Sequence, residues 1–437
     1  MSAQNSEHSN RESRLWCGLP GNKLAKYGKA FALDTIVRLG AAALFLYGLA
    51  AGAFAAPDEA RLGKDEGYPV CARAQASQTR CLIGAVSRFD EIFPVNRVPK
   101  GSQVRELKRA PREPAISYST QFSSDNLDGY LSHNRTTGLL ILKGDTILLE
   151  RYQYERKPEQ RMASYSMAKS VVSMLVGIAL AEGKIKSIDD TAQMYLPELK
   201  GTPYGETQLK HLLTMSSGVR FTENYGGNDD VAVLGRISIG QDGEGGVATV
   251  MPFKSRERDP GEKFHYSSAE TQVLGLVLRA ATGKTLSAYL SEKIWQPMGA
   301  ESDASWGIDK GGYESAFAFL NATVRDYARL GMLLANDGAM DGRQIIPADW
   351  VRAATTPSAR QFQPGQADAY YGYGYQIWLL PGQRRQFVLR GLRGQMIFVD
   401  PASKLVMVHT AARETSGDPG YREVVPLWHG VAKALAD

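Results

Sequence analysis

The sequence places a serine and a lysine three residues apart at the start of an apolar segment. Ser166 and Lys169 precede an apolar run without proline, Val171 to Glu182, which stops at Gly183. Such a run predicts a buried helix that ends at the glycine. Because positions i and i+3 share a helix face, Lys169 is expected beside the Ser166 hydroxyl. A serine is a weak nucleophile until a base takes its proton, and Lys169 is the candidate base.

A tyrosine about a hundred residues later suits the same chemistry. Tyr266 lies in the segment Phe264–Ser268, just before a second predicted helix. If Lys169 and a positive field lower the pKa of this phenol, the phenolate serves as a base and then as the acid for a leaving group. An ordinary half-buried tyrosine is the alternative.

A glycine-rich stretch near the end of the chain is the third candidate element. Gly391 and Gly394 lie in Leu389–Gln395, on a predicted strand. Two glycines there let the backbone approach a bound ligand closely, and its N–H groups complete an oxyanion hole with that of Ser166. A bulge or a bend in the strand is the alternative.

The elements that must position these residues follow from the apolar pattern. Two β-rich runs joined by Gly144-Asp145 predict a hairpin over 138–152. Three further strands are predicted late in the chain, at 387–389, 395–400 and 405–410. We expect early and late strands to form one antiparallel sheet, with a separate helical lobe between them. After the Ser166 helix, the predicted helices are one starting at 188 and ending before Pro197, 209–215, 271–282, 286–294, 324–336 and 421–435.

The segment from Val219 to Gly261 is too long and too polar for an ordinary connection. It is rich in Gly, Asp, Glu and Asn, and Tyr225 is the aromatic residue among its first glycines. Such a loop either covers a substrate or forms plain surface, and the sequence leaves both open.

The beginning of the chain predicts export. Residues 1–38 carry more basic than acidic side chains, and an apolar run over 39–55 ends in an A-x-A pattern. This organisation predicts a secretory signal within 1–55, cleaved after Ala55, or a retained inner-membrane anchor. In both cases the following residues are expected in the periplasm or outside the cell. Residues 56–130 show little periodicity and predict an irregular extension, in which Cys71 and Cys81 form a disulfide or remain free thiols.

Composition excludes several classes of function. The formal net charge of +5 over 437 residues is mild, and no aromatic–basic interleaving predicts nucleic-acid binding. Six histidines without a His-Glu-x-x-His pattern give no metal site, and no motif implies a cofactor. No Gly-x-Ser-x-Gly is present, so the chain lacks the nucleophile elbow of α/β-hydrolases.

Taken together, the motifs over 131–437 resemble the serine β-lactamase and penicillin-binding superfamily on its class C side. Within it the chain is most similar to 6-aminohexanoate-dimer hydrolases and to esterase-like members. The resemblance implies an α+β fold, in which an antiparallel sheet is flanked by N- and C-terminal helices and carries an inserted all-helical lobe. The motifs that carry it are Ser166-x-x-Lys169, Leu212–Gly218, Tyr266–Ser268, Gly372–Tyr375 and Gly391–Gln395 with Asp400-Pro401.

The same resemblance assigns roles to individual residues. Ser166 is the nucleophile, Lys169 and Tyr266 remove its proton, and the N–H groups of Ser166 and Leu392 form the oxyanion hole. The expected substrate-binding residues are Tyr225, Ser268, Gly391, Arg393 and Gln395. The sequence departs from β-lactamases at Ser268, where they carry asparagine, and at Leu389, where they carry the lysine of Lys-Thr-Gly.

Three functions remain open at this stage. The first is hydrolysis of a small linear amide or carboxylic ester. The second is a cell-wall DD-peptidase or a weak β-lactamase, against which Ser268 and Leu389 speak. The third is a penicillin-binding sensor domain, held by its N-terminal segment, that is acylated without turnover.

Overall fold

The computed structural model describes residues 56–240, 242–414 and 422–435, which belong to one compact unit. The predicted signal or anchor within 1–55 lies outside the described residues. In the described ranges, no helix is both long enough and apolar enough to cross a bilayer.

The fold is built on an eight-stranded sheet in which early and late strands pair, as expected, although one pair at its edge is parallel. Its order is β12-β13-β14-β15-β16-β5-β6-β2, and every neighbouring pair is antiparallel except β2 with β6. A four-stranded sheet has the order β1-β8-β9-β7, and β3–β4 and β10–β11 are separate hairpins. The strands are β1 (Val95–Val98), β2 (Lys108–Arg109), β3 (Ser117–Ser119), β4 (Ser124–Asn126), β5 (Thr136–Lys143), β6 (Thr146–Tyr152), β7 (Arg161–Ala163), β8 (Ala304–Gly307), β9 (Leu320–Thr323), β10 (Ala339–Met340), β11 (Arg343–Gln344), β12 (Gly372–Tyr373), β13 (Trp378–Leu379), β14 (Phe387–Gly391), β15 (Gln395–Asp400) and β16 (Leu405–Ala411).

Helices cover both faces of the large sheet. The helices are α1 (Leu82–Ser87), α2 (Leu127–His133), α3 (Met167–Ala181), α4 (Leu209–Leu213), α5 (Asp230–Ser238), α6 (Ser268–Thr282), α7 (Leu286–Leu290), α8 (Val324–Ala335), α9 (Ala348–Ala354) and α10 (Val424–Leu435). A π-helical turn, Ser291–Trp295, continues α7.

The apolar core has two layers because the central strands are buried on both faces. On β5, Leu140 and Leu142 belong to the core beneath α3, α6 and α8. Leu139 and Ile141 belong to a second core with α2 and α10, which supplies Trp428. Successive side chains of a strand point to opposite faces, so a strand covered on both sides reads as an unbroken apolar run. The predicted α+β fold, with terminal helices flanking the sheet, is confirmed.

The segment between the two halves of the sheet departs from the expected all-helical lobe. It also contains the strands β7, β8 and β9, which are too short to be predicted from the residue pattern of the sequence. The helix expected from Ile188 is reduced to 3₁₀ turns such as Ala192–Met194. Conversely, the Val219–Gly261 loop contains α5, whose N-cap Asp229 accepts a hydrogen bond from the N–H of Ala232.

The N-terminal extension is folded onto the rest of the molecule. Cys71 and Cys81 form a disulfide with a Cα–Cα distance of 5.7 Å. An apolar cluster buries Leu62, Tyr68 and Ile83 of the extension against Tyr154. The extension also contributes β1 to the small sheet and β2 to the large one. It is therefore more regular than the predicted irregular segment, although its elements are short.

Candidate active site

The serine at the start of α3 is held in place by a fully buried helix. Ser166 is the N-cap of α3, and the first thirteen residues of the helix are buried on every side. A helix that is apolar all round is a core helix, so its N-terminus is fixed by packing. Tyr165, just before the serine, has a φ of 45°, a left-handed conformation that is rare for non-glycine residues. The turn that presents Ser166 is therefore strained, as is common at functional sites.

Lys169 lies one turn along the helix, and its side chain points at the serine. Its ammonium group donates hydrogen bonds to Ser166 Oγ at 3.1 Å, Ser268 Oγ at 3.0 Å and the Phe317 carbonyl at 2.9 Å. Burial lowers the pKa of Lys169 to about 8, and the negative charge of Glu223 opposes that shift. A substantial fraction of the amine is thus neutral near physiological pH and able to accept a proton.

Tyr266 also interacts with Ser166, but its environment favours a different protonation state from the one considered in the sequence analysis. Burial, reinforced by the charge of Glu223, raises the pKa of Tyr266 far above its ordinary value, although a hydrogen bond with Ser166 and the charge of Arg390 act in the opposite direction. The condition for a phenolate, a lowered pKa, is therefore not met. Tyr266 is a neutral phenol, stacked on Trp378 with ring centroids 5.4 Å apart.

The backbone at the end of β14 lies in close contact with the backbone of Ser164 and Ser166. A Cβ on Gly391 would lie 2.2 Å from the Ser164 carbonyl oxygen and 3.1 Å from the Ser166 nitrogen, so only glycine fits. Leu392 follows directly and lines the same cavities as Ser166. Arg393, the next residue, has a φ of 61° and turns the chain before β15.

Glu223 joins the long loop to α6. Nothing in the sequence marks this residue beyond its place two residues before Tyr225. Its carboxylate accepts hydrogen bonds from the N–H and the hydroxyl of Ser268, both at 2.8 Å. It also accepts one from the Tyr225 hydroxyl at 2.6 Å. Since the Ser268 proton points to Glu223, the Ser268 oxygen is left to accept from Lys169. Ser268 thus contacts both Lys169 and Glu223.

Two cavities meet at the serine. We call the first, of about 250 Å³, the apolar cavity, and the second, of about 290 Å³, the arginine cavity. Both are lined by Ser166, Glu223, Tyr225 and Leu392. The apolar cavity is further lined by Tyr165, Gly227, Asp229, Val231, Ala232, Gly235, Ile239, Ser268, Phe317, Ala318 and Phe319. The arginine cavity is further lined by Tyr266, Trp378, Arg390, Gly391 and Arg393.

Comparison with known proteins agrees with this geometry. A sequence model of the β-lactamase family matches residues 126–424. The chain belongs to the β-lactamase family. A relative in Paenarthrobacter ureafaciens, a 6-aminohexanoate-dimer hydrolase, is 26% identical over 362 residues, which cover 80% of this chain and 88% of the relative.

Solved structures show the same fold. A Bacillus anthracis protein, proposed to be a 6-aminohexanoate-dimer hydrolase, superimposes with a TM-score of 0.73 at 24% identity, covering 82% of this chain and 95% of that one. The hydrolase EstCE1 superimposes with a TM-score of 0.56 at 16% identity, covering 70% and 96%. The predicted resemblance to the β-lactamase superfamily and its 6-aminohexanoate-dimer hydrolases is confirmed.

Within this family framework, the structure separates the predicted site residues into two groups. Tyr225, Ser268, Gly391 and Arg393 line one or both cavities. Gln395 is not among the lining residues: its side chain is completely buried, and its amide donates to the Ala411 carbonyl at 2.6 Å. The structure thus places this side chain away from both cavities, in a hydrogen bond between β15 and β16.

The position that carries the family's Lys-Thr-Gly lysine is also settled. Leu389 is completely buried in the main core. It cannot present any group to a substrate. Two arginines that follow it in the sequence, Arg390 and Arg393, line the arginine cavity instead.

Proposed function

We propose that the protein is a serine hydrolase that cleaves a linear amide or a carboxylic ester through an acyl-enzyme on Ser166. The observation that carries the proposal is the buried Lys169 amine, 3.1 Å from Ser166 Oγ. A pKa of about 8 makes this amine a competent base in its neutral form. The relationship to a 6-aminohexanoate-dimer hydrolase over most of both chains supports the amide substrate.

In acylation, the neutral Lys169 amine takes the proton of Ser166 as Oγ attacks the substrate carbonyl carbon. The new C–O bond places negative charge on the carbonyl oxygen, toward which the N–H groups of Ser166 and Leu392 are directed in this proposal. Tyr266, a neutral phenol, donates its proton to the leaving nitrogen or oxygen as that bond breaks. The Lys169 ammonium then returns a proton to the Tyr266 phenolate, so both groups are reset.

Deacylation repeats the sequence with water in place of serine. The neutral Lys169 amine takes a proton from the water, whose oxygen attacks the acyl carbon. The bond to Ser166 Oγ breaks, the Lys169 ammonium returns its extra proton to Oγ, and the carboxylic acid leaves. The net reaction consumes one water and yields an acid with an amine or an alcohol.

The direct test uses the protein from residue 56 onward with four substrate types. These are nitrophenyl esters, the 6-aminohexanoate dimer, a D-Ala-D-Ala peptide and a penicillin, each followed by turnover and by intact mass. Ester or amide turnover that disappears in Ser166→Ala supports the proposal. A matched control is Ser173→Ala on the same helix, because the Ser173 hydroxyl has no hydrogen-bond partner among the described residues. Unchanged turnover in Ser166→Ala would overturn the mechanism.

The same experiment separates the other two functions predicted from the sequence. Turnover confined to the D-Ala-D-Ala peptide or the penicillin indicates a DD-peptidase or a weak β-lactamase. A lasting penicillin adduct without turnover of any substrate indicates a sensor domain.

We also propose that the catalytic domain acts in the periplasm or outside the cell, directed there by the apolar run at 39–55. The disulfide between Cys71 and Cys81 supports this location, because such bonds persist in oxidising compartments. Alkaline phosphatase fused after residue 60 should be active in cells, and inactive when 39–55 is deleted. Activity that is unaffected by the deletion would contradict export. Fractionation then distinguishes a cleaved signal, which leaves soluble protein, from an anchor.

A further inference from the structure

The turn that carries Leu392 has a strained backbone. We call Leu392–Gly394 the oxyanion turn, because in the proposed mechanism it supplies one of the two N–H groups that stabilise the oxyanion. Arg393 has a φ of 61° and Gly394 a φ of 90°, so two successive residues adopt left-handed conformations. Such a backbone persists only where its surroundings hold it. The contacts behind the turn therefore determine where the Leu392 N–H points.

The end of β16 and the residues after it contact the oxyanion turn from inside the molecule. The Arg413 N–H donates to the Arg393 carbonyl at 3.3 Å, and the Arg393 guanidinium donates to the Arg413 carbonyl at 2.8 Å. A Cβ on Gly394 would lie 2.9 Å from the Ala411 Cβ, so the turn packs directly on the strand. A buried side chain makes a further contact: His409 Nδ1 lies 2.7 Å from the Gly394 carbonyl oxygen.

His409 is completely buried on β16, and its ring is neutral. Burial, reinforced by the charge of Arg413, lowers the pKa of His409 to about 3, although the hydrogen bond with Gly394 opposes the shift. A neutral imidazole has one N–H group, and a carbonyl oxygen can only accept, so the proton is on Nδ1. His409 therefore donates a hydrogen bond to the oxyanion turn.

The other ring nitrogen of His409 faces two hydroxyl groups. Nε2 lies 3.0 Å from the Tyr130 hydroxyl of α2 and 3.2 Å from the Thr136 hydroxyl of β5. Since Nε2 carries no proton, it accepts a hydrogen bond from one of these hydroxyls. The Tyr130 oxygen in turn accepts one from the Arg413 guanidinium at 3.3 Å. These contacts all favour the tautomer whose donor faces the oxyanion turn.

The rest of β16 shows that packing alone does not require a polar side chain at this position. The four preceding residues, Leu405–Val408, are apolar and alternate between the two cores. Burying a polar ring costs free energy unless its hydrogen bonds are made. The polar ring at 409 stands where the strand reaches the oxyanion turn.

We propose that His409 is a positioning residue of the reaction: its hydrogen bond to the Gly394 carbonyl holds the oxyanion turn where the Leu392 N–H meets the developing oxyanion. This role goes beyond the proposed function but rests on it, since it requires acyl chemistry at Ser166. His409 does not occur among the described residues that line the two cavities. It acts through the backbone of the turn and makes no contact with the substrate.

The test compares two amide side chains that each reproduce one half of the ring. The amide nitrogen of asparagine takes the position of Nδ1, whereas that of glutamine reaches the position of Nε2. His409→Asn therefore keeps a donor for the Gly394 carbonyl, and His409→Gln loses it. For ester hydrolysis we expect kcat to fall about ten- to hundredfold in His409→Gln, with little change in KM, and to stay within about threefold in His409→Asn. Both variants should unfold at a lower temperature than the wild type.

A second readout reports on the oxyanion hole itself. A trifluoromethyl ketone adds to the serine and places its oxyanion where that of an ester would form. Its Ki should therefore rise in His409→Gln by the factor by which kcat/KM falls. The matched control is Thr410→Val, the next residue on β16, whose hydroxyl bonds with Thr137 and the Gly138 carbonyl. It should lower the unfolding temperature and leave kcat and Ki unchanged.

The tautomer of His409 provides a check in the wild-type protein. With ¹⁵N-labelled histidine, NMR should show a ring that does not titrate between about pH 5 and pH 9 and carries its proton on Nδ1. A proton on Nε2 would overturn the proposal even if His409→Gln did not fold.

The outcomes separate this inference from the proposed function. Equal losses of kcat in His409→Asn and His409→Gln, losses that follow the unfolded fraction alone, or an unchanged Ki in His409→Gln would overturn the positioning role while leaving the serine hydrolase intact. Failure of the wild type on every ester and amide, without labelling of Ser166 by a fluorophosphonate, would remove the proposed function and this inference together.

Discussion

At the scale of single residues, we expect Lys169 and Glu223 to set the pH dependence of the proposed reaction. Burial lowers the pKa of Lys169 to about 8, and only the neutral amine can take the Ser166 proton. We therefore expect kcat/KM to rise with pH and to level off above about 8. Glu223 raises the pKa of Lys169, so Glu223→Gln should move this rise to lower pH. The measurement is a pH profile of ester hydrolysis.

A second carboxylate of the same cavity serves as the control for this shift. Asp229 caps α5 and is not among the charges that affect Lys169, so Asp229→Asn should leave the midpoint of the profile in place. A profile that is identical in wild type and Glu223→Gln would show that Glu223 does not act on the lysine.

The buried carboxyl of Glu270 should make the stability of the fold depend on pH. Burial raises the pKa of this carboxyl to about 8 from an ordinary value of 4.5, although hydrogen bonds from Ser217 oppose the shift. A folded-state pKa above the unfolded one gives a stabilisation that is complete below pH 4.5 and is lost as the pH rises to about 8. We expect Glu270→Gln to remove this part of the pH dependence. Thermal unfolding of both proteins from pH 5 to 9 measures it, and parallel curves would contradict it.

At this scale, the sequence could predict the residues that belong to motifs of known chemistry. Ser166, Lys169 and Tyr266 were recognisable because their types and spacing are constrained by the reaction. The protonation state of Tyr266 could not be predicted from the sequence, because it depends on burial by Trp378 and Tyr373, which are distant in the sequence. Glu223 was missed for a similar reason: its partner Ser268 is 45 residues away.

At the scale of elements, a buried glutamine joins three helices around the site. The Gln376 side chain accepts a hydrogen bond from Thr271 of α6 and donates to the Leu212 carbonyl of α4. The backbone carbonyl of Gln376 accepts a hydrogen bond from the Ser170 hydroxyl of α3. We expect Gln376→Leu to lower the free energy of unfolding by about 2–4 kcal/mol, because buried groups on two helices lose their partners. Urea unfolding measures the change, and a difference below about 0.5 kcal/mol would contradict this role.

Element prediction succeeded where patterns were long. The helices α3, α6 and α8 and the strands β5, β6, β15 and β16 follow runs of apolar residues whose length and flanking glycines left little choice. It failed in Val219–Gly261, where α5 has a mixed polar sequence and depends on packing of Leu234 into the core. The helix expected from Ile188 does not form because the local side chains stabilise a turn. In that turn the Asp190 carboxylate accepts hydrogen bonds from the N–H of Ser187 and the hydroxyl of Tyr195.

At the scale of the whole molecule, the N-terminal extension supports the wall of the apolar cavity. Phe89 of the extension stacks on Phe319 with centroids 4.8 Å apart, and Phe319 packs on Tyr165 at 5.5 Å. Phe319 and Tyr165 both line the apolar cavity. Tyr165 also packs against the apolar cluster of the extension, which is next to the disulfide-bonded Cys81. The family match begins only at residue 126, so this support lies outside the part of the chain that the family describes.

The disulfide should therefore protect both stability and the shape of the site. Closing a loop between residues 71 and 81 lowers the conformational entropy of the unfolded chain, which stabilises the folded state by about 3 kcal/mol. We expect the double variant Cys71→Ser, Cys81→Ser to unfold at a lower temperature. On warming, it should lose turnover of octanoyl esters before that of acetyl esters, because Tyr165 and Phe319 line the apolar cavity beside Ser166 and a longer acyl chain would contact more of that cavity. Calorimetry and the two activities, measured over the same temperatures, test this. If both activities decline together at the unfolding temperature, the extension stabilises the fold without shaping the cavity.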